Sequence, residues 1–233
     1  MSKYDGIHPE GLLLLAETQF RDSKEFYDQH KPELHRLAIT PLRQIVEGLT
    51  EDLTALDPQM NLVPSRIVSR IRRDTRFSNN KRLYRANLWI TLMRPKSPET
   101  LVYPCLWFEM YAVDAHWNCG ICIYETPPAY MAFVRQKLGD AAEAQEFLAA
   151  EAQVRAAGAL PEFARYKKDR VTNVSPELLP YCNTKQIVFT FSSPNMALLT
   201  DGRILDELRR LYRAYGPMYR ILLRWAEEYQ TIS

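Results

Sequence analysis

Glycine is scarce in this chain. Only eight occur in 233 residues, and none falls in a GxGxxG or GxxxxGK(S/T) arrangement, whose glycines let backbone approach phosphate closely. Dinucleotide fingerprints and P-loops are thereby excluded. HExxH and GxSxG are absent as well, which removes the sequence signals of zincins and hydrolase elbows. Long apolar runs are missing too: the longest early one, Leu12 to Ala16, is far short of a membrane span. The opening MSKYDGIHPEG lacks the charged-then-apolar pattern of a secretory signal, so a cytoplasmic location is the default expectation. The four cysteines, Cys105, Cys119, Cys122 and Cys182, are then expected to stay reduced. There is no global excess of one charge either. Thirty Lys and Arg against 28 Asp and Glu leave a formal +2, whereas a dedicated nucleic-acid binder is more often basic throughout.

What is present is ordinary globular material, 46% hydrophobic and 25% charged, enough to bury a sizeable core. No repeat, low-complexity tract or linker interrupts it, and a single domain over 1–233 is expected. Its N-terminal part, about 8–57, reads as helical. Leu12, Leu13, Leu15, Ala16 and Phe20 suggest one amphipathic helix, and Ser23 is placed to cap a second carrying Phe26, Tyr27 and His30. Pro32 and Pro41 should start or kink the next helices, with Leu42, Ile45, Val46 and Leu49 on one face, before Asp57-Pro58 ends the region.

The centre, about 66–125, reads as antiparallel strands. Ile67, Ser69 and Ile71 alternate with Arg66, Val68, Arg70 and Arg72; Leu88, Ile90 and Leu92 follow, then Cys105–Val113 and Trp117–Tyr124 around a turn at Asp114-Ala115-His116. The remainder, about 126–231, is mixed and mainly helical. A helix starts after Thr126-Pro127 with Tyr130, Phe133, Val134 and Leu138 buried. Asp140 with Glu143 resembles a capping box opening a helix to about Gly158. A short helix is expected near Ser175-Pro176, and Ile187, Phe189 and Phe191 alternate as a fifth strand. Asp201 should cap a helix carrying Ile204, Leu208 and Leu211. Gly216-Pro217 should break it before a last helix with Ile221, Leu222 and Trp225. Helices, then strands, then helices argue for an α+β fold: a single antiparallel sheet of about five strands, with helices from both ends of the chain packed mainly on one face.

Conventional catalytic signals are weak. His8, His30, His35 and His116 are scattered. Cys119-Gly-Ile-Cys122 matches CxxC, but alternation of Trp117, Cys119, Ile121 and Ile123 puts it on a strand with its two thiols on opposite faces. A redox CxxC opens a helix, and a zinc site needs two more ligands. Asp114 and His116 could offer two metal ligands, but a turn explains them better. No metal or cofactor is expected. Glu109 is more interesting, because a carboxylate among Trp107, Phe108 and Tyr111 is costly to bury without a partner. A buried ion pair is the plainer explanation; a general acid or base is the sharper one.

The strongest local feature is the window RIVSRIRRDTRFSNNKRLYR, Arg66 to Arg85, which holds eight of the thirty bases and one acid, Asp74. A strand through Arg73 should lead into a turn over Asp74 to Asn80. Asp74 is expected to pair with at least one neighbouring arginine; the others, with Lys81, Arg82 and Arg85, lack local acids. Planar guanidinium groups suit phosphate or carboxylate.

The run from Arg70 through Lys81, closed by Tyr84-Arg85, closely resembles R-I-x-R-D-x-R-F-S-x-x-K-x-x-Y-K, the signature of the domain-of-unknown-function family numbered 2461. Phe26-Tyr27 with Lys31, and Gly120, Tyr124 and Pro127 through Arg135, resemble other parts of that family, so the likeness covers most of the chain. Arg82-Leu83 stands where Thr-Pro is usual, Arg85 replaces Lys, and Phe20-Arg21-Asp22 stands in place of an asparagine pair. The resemblance implies an α+β domain and assigns no reaction.

Three roles are open. The first is a cleft for a small anionic ligand, phosphorylated compounds among the candidates. Arg70, Arg73, Arg76, Lys81 and Arg85 would hold the anion, Asp74 would orient the arginines, and Ser78 or Tyr84 would add hydrogen bonds. The second is a non-catalytic scaffold or interaction domain in which the arginines pair with Glu109, Glu125 or C-terminal acids. The third is nucleic-acid binding, with Tyr84, Phe77 and Trp89 stacking on bases and Arg203, Arg209, Arg210 and Arg213 forming a second basic stripe. They rank in that order. No membrane partner is expected, and oligomeric state is not readable.

Overall fold

The computed structural model describes residues 4, 6–85, 87–95, 102–123 and 126–232. Tyr124 and Glu125, named above as a strand end and an acid partner, lie outside the described residues. The fold is α+β, built on one open antiparallel sheet of five strands in the order β1-β2-β3-β5-β4. These are β1 (Asn87–Leu92), β2 (Pro104–Tyr111), β3 (His116–Ile123), β4 (Leu160–Pro161) and β5 (Val188–Ser193). The chain divides into two compact units: Met1–Leu92 with Trp107–Cys119 and Ser192–Arg209, and Met93–Leu106 with Gly120–Phe191 and Arg210–Ser233.

The first unit begins with α1 (Pro9–Arg21) and α2 (Lys24–Leu34). Ser23 caps α2 by accepting the Phe26 N–H. Pro32 sits inside α2, and the chain continues through a π-helical turn (His35–Ile39) into α3 (Thr40–Leu56), with Pro41 in its first turn. The buried face of α1 is Gly11, Leu15 and Thr18 rather than the whole apolar set, and Phe20 is 85% exposed. Gly11 is where α1 meets the π turn: a Cβ there would stand 2.6 Å from the Leu37 carbonyl oxygen.

One expected strand is absent from the sheet. Pro64 starts a short helix, α4 (Pro64–Ile67), and the residues after it touch the following chain only through isolated bridges, Val68 to Ile90 and Arg72 to Tyr84. The reason is local. The Trp89 N–H donates to the Ser69 hydroxyl at 2.9 Å instead of to a main-chain carbonyl, so a regular ladder does not propagate. The alternation nonetheless survives, with Ile67 and Ile71 buried and Arg70 and Arg72 exposed.

In the second unit, α5 (Pro128–Leu138) and α6 (Ala141–Ala156) are joined at Asp140, whose carboxylate accepts the Ala142 and Glu143 N–H groups. The reciprocal half of a capping box is missing, because Glu143 is engaged elsewhere. It accepts hydrogen bonds from Lys137, Arg224 and the Trp225 indole at 3.0, 2.7 and 2.8 Å. The strand missed from sequence is β4, which pairs with β5 through Leu160–Thr190 and Pro161–Phe189; two residues carry no readable periodicity. A turn precedes the four-residue α7 (Leu179–Cys182), a few positions after the expected Ser175-Pro176 start. Beside it the buried Asn183 satisfies its whole amide. It accepts from the Arg170 and Val171 N–H groups and donates to the Val171 and Leu179 carbonyls, which orders a long loop.

After the short α8 (Ala197–Thr200), α9 runs unbroken from Ile204 to Ile232, with Pro217 inside it. The expected break at Gly216-Pro217 does not occur. Leu208, Leu211, Tyr215, Met218, Leu222 and Trp225 are all buried, and burying that continuous stripe outweighs the roughly 3 kcal/mol local cost of an interior proline.

Two consequences are measurable. Gly11→Ala adds helix propensity worth about 1 kcal/mol, yet overpacking against Leu37 should win and lower stability by about 2 kcal/mol net, read by denaturant titration. For Glu143, burial works to raise the pKa, but the Trp225, Lys137 and Arg224 hydrogen bonds overcome it and hold the carboxyl down at about 2 against an ordinary 4.5. A depressed acid stabilises the fold fully above its unfolded pKa and loses that contribution as pH falls. Stability should therefore decline from about pH 4.5 towards 2, and Glu143→Gln should flatten that part of the pH–stability curve.

Candidate functional site

The basic window folds back on itself. The Arg73 N–H donates to the Leu83 carbonyl at 2.7 Å and the Arg85 N–H to Ile71 at 3.0 Å, and the residues between form a surface loop. Asp74 organises the near side of this loop. Its carboxylate accepts the Arg76 N–H and chelates the Arg76 guanidinium at 2.7 and 3.0 Å. Those hydrogen bonds hold the Asp74 carboxyl down at about 2. Lys81 closes the loop by donating to the Thr75 carbonyl at 3.1 Å, and Asn80 accepts the Arg82 N–H.

The loop's return strand is anchored from α1. Asp22, the C-cap of α1, adopts a left-handed conformation (φ 47°). One of its carboxylate oxygens accepts the N–H groups of both Leu83, at 2.7 Å, and Tyr84, at 3.2 Å. Tyr84 is buried and its ring stacks on Tyr27 at 4.7 Å between centroids. Two signals quoted from the sequence, the early aromatic pair and the tyrosine of the basic run, are thus one contact.

Beside this anchor is a cavity of about 460 Å³. Arg73, Arg82 and Arg85 supply its cations; Gln19, Asn80 and Asn87 line it with amides; Tyr84, Tyr111, Val113 and Asp114 complete it. Arg85 is half-buried over the Trp89 ring, 4.5 Å from its centroid, and its Nε has no hydrogen-bond partner. Burial pushes the Arg85 pKa down, the charge of Arg73 pushes it further, and Glu109 opposes both. Among the described residues the Arg73 guanidinium is hydrogen-bonded only to the Ser78 hydroxyl, at 3.4 Å. Among the described residues the single ion pair made by the window is Asp74–Arg76.

The sequence candidates separate accordingly. Arg73, Tyr84 and Arg85 line the cavity. Arg70 is exposed and outside the lining; Asp74 and Arg76 neutralise each other on the exposed loop; Lys81 holds the loop closed; Ser78 supports Arg73. Glu109 lies on β2 and is held by two residues that line the cavity, accepting from Asn87 Nδ2 at 2.5 Å and from the Tyr111 hydroxyl at 2.7 Å. Burial raises the pKa of Tyr111, reinforced by that bond to Glu109 and by the charges of Glu109 and Asp114, so Tyr111 keeps its proton. Cys119 and Cys122 are buried thiols outside any disulfide, and no group of three or more His, Cys, Asp or Glu among the described residues is placed to hold a metal. No described helix is long and apolar enough to cross a membrane.

Residues 10–220 match the family described as Conserved hypothetical protein (DUF2461). The chain belongs to this family. No curated protein and no solved structure matches it. In this DUF2461 protein the whole cavity lining, Gln19 through Asp114, lies within the matched span. Gln19, Asn80, Arg82, Asn87, Tyr111, Val113 and Asp114 of the lining, and the anchor Asp22, were not among the ligand-binding candidates expected from the sequence. For Asp22 a signal existed, since it stands at the place of the expected asparagines, and asparagine and aspartate are the side chains that tolerate a left-handed helix cap.

Removing the anchor tests its role in this DUF2461 protein. Asp22→Ala forfeits two hydrogen bonds to a charged acceptor and should cost about 3 kcal/mol of unfolding free energy. Asp22→Asn keeps an acceptor and the left-handed tolerance, and should cost about 1 kcal/mol.

Proposed function

We propose that this cavity binds a small anionic ligand, with a phosphate group the best chemical match, and that the arginine pair Arg73 and Arg85 is the centre of the site. The observation that carries this reading is that two neighbouring guanidinium groups repel each other inside a concavity while no carboxylate among the described residues forms an ion pair with either. Like charges held together without a counterion are costly to keep, and an anion entering the cavity removes that cost. Arg82, exposed at the rim, adds a third fork able to make bidentate contacts to phosphate oxygens. Tyr111, kept protonated by Glu109, is a neutral donor on the cavity wall.

In this reading Glu109 acts through Asn87 and Tyr111, since both its oxygens already accept hydrogen bonds. Asp74 and Arg76 shape the loop instead of holding the ligand. A scaffold of ion pairs centred on the window has less support, because the window's one ion pair among the described residues is fully exposed, where such pairs contribute little. Nucleic-acid stacking draws on Phe77, which is 95% exposed, but Tyr84 is buried and Arg85 covers Trp89. Four buried cysteines, none in a disulfide, fit a reducing, cytoplasmic setting.

Thermal unfolding with and without millimolar inorganic phosphate tests the site. Phosphate should raise the melting temperature of the wild type by a few degrees through binding to the folded state alone. Arg73→Ala and Arg85→Ala should abolish that rise while leaving the ligand-free protein as stable or more so, because relieving the repulsion offsets the lost contacts. Arg76→Ala, outside the cavity, should retain it. A rise that survives loss of Arg85 but not of Arg76 would place the anion elsewhere.

A further inference from the structure

The cavity is not uniformly basic, and its asymmetry says more about the ligand than the arginines do. Opposite in chemistry to Arg73, Arg82 and Arg85 stands Asp114, in the turn between β2 and β3, just before Ala115 at φ 47°. Its carboxylate makes no hydrogen bond or ion pair among the described residues, yet its charge reaches the Tyr111 hydroxyl. The same lining holds three amides with capacity to spare. Asn80 spends its oxygen on the Arg82 N–H, leaving its NH₂ to donate. Asn87 spends its NH₂ on Glu109, leaving its oxygen to accept. Gln19 has no hydrogen bond among the described residues and offers both. The lining is mostly polar, with Val113 the one aliphatic side chain among the described residues, beside Tyr84 and Tyr111.

Unspent donors and acceptors together in one lining are complementary to hydroxyl groups, each of which donates and accepts at once. A purely apolar tail would find only Val113 and two tyrosines to cover it, and would leave Asp114 and three amides desolvated without partners. An ammonium group would satisfy Asp114 and the Asn87 oxygen but would leave the Asn80 NH₂ without an acceptor. The volume, about 460 Å³, falls within the range of small-molecule sites.

Building on the anion reading above, we infer that the ligand is a phosphorylated polyol of the sugar-phosphate class, its phosphate on Arg73, Arg82 and Arg85 and its hydroxyls on Asp114 and the amides of Asn80, Asn87 and Gln19. Asp114 is then the residue that selects a sugar phosphate over a bare phosphate. It does so as an acceptor of charge-assisted hydrogen bonds from ligand hydroxyls, which also suits its position across the cavity's chemistry from the cations, where it would repel a second anionic group.

The test is calorimetric titration of the whole protein with four probes: inorganic phosphate, a hexose phosphate, a pentose phosphate and phosphoethanolamine. At least one sugar phosphate should bind about tenfold more tightly than inorganic phosphate, the increment of one good hydrogen bond to a charged group. Asp114→Asn and, separately, Asn80→Ala should erase most of that advantage while inorganic phosphate binds as tightly as before, or more tightly once the Asp114 charge is gone. Both positions are exposed, so folding is expected to be intact; an unchanged melting temperature without ligand verifies this, and two independent variants guard against one that fails to fold. Equal affinity for all phosphates would overturn the polyol assignment and leave the anion site standing. Phosphoethanolamine binding as tightly as the sugar phosphates would overturn it in favour of an amine. No binding of any probe would overturn the inference together with the reading it rests on.

Discussion

The arrangement of the basic segment depends on a single carboxylate. Asp22 ends α1 in a left-handed conformation and directs one oxygen at two successive N–H groups, those of Leu83 and Tyr84. Successive amides converge on one acceptor only where the chain bends around it, so this contact sets the path of the strand that returns from the loop. Tyr84 is thereby seated under Tyr27, and Arg82 and Arg85 are placed on either side of the anchored pair. Without that staple, a loop bearing five exposed cations or polar amides would have little reason to hold its guanidinium groups together.

The two units treat charge differently. In the second, cations meet carboxylates: Lys137 and Arg224 converge on Glu143, Glu228 and Glu146, and the wall they form is neutralised within itself. In the first, Arg73 and Arg85 are kept side by side without an ion pair to any described acid, while Glu109, whose charge reaches Arg85, is committed to Asn87 and Tyr111. The same residue types thus form a structural network in one place and an unfilled electrostatic demand in the other. Counting bases along the chain cannot separate these cases; counting partners can.

Much of the fold was legible because its signals are local. Alternation marked β1, β2, β3 and β5, Ser23 marked the start of α2, and Asp140 the start of α6. The errors share a cause, which is that a local preference was overridden by a distant one. Pro217 lies within α9 because the buried stripe continues past it. The alternating run at Ile67 to Ile71 stays out of the sheet because a serine hydroxyl takes the place of a ladder carbonyl. Phe20 looked like part of a buried stripe and is exposed, since the contact face of α1 is centred on Gly11, where the π turn comes close.

Sequence alone established the α+β class, the order of nearly all its elements and the family, because periodicity, capping residues and the RIRRDTRFSNNK run are written in adjacent positions. It also located the concentration of positive charge. Which of those charges are spent and which are available was decided only in three dimensions. Asp74 reaches Arg76 but not Arg73, and Asn87, Tyr111 and Asp114 arrive from other strands and turns to shape the cavity. Electrostatic neutralisation depends on separation in space, falling off within a few ångströms of contact, and separation along the chain carries almost no information about it.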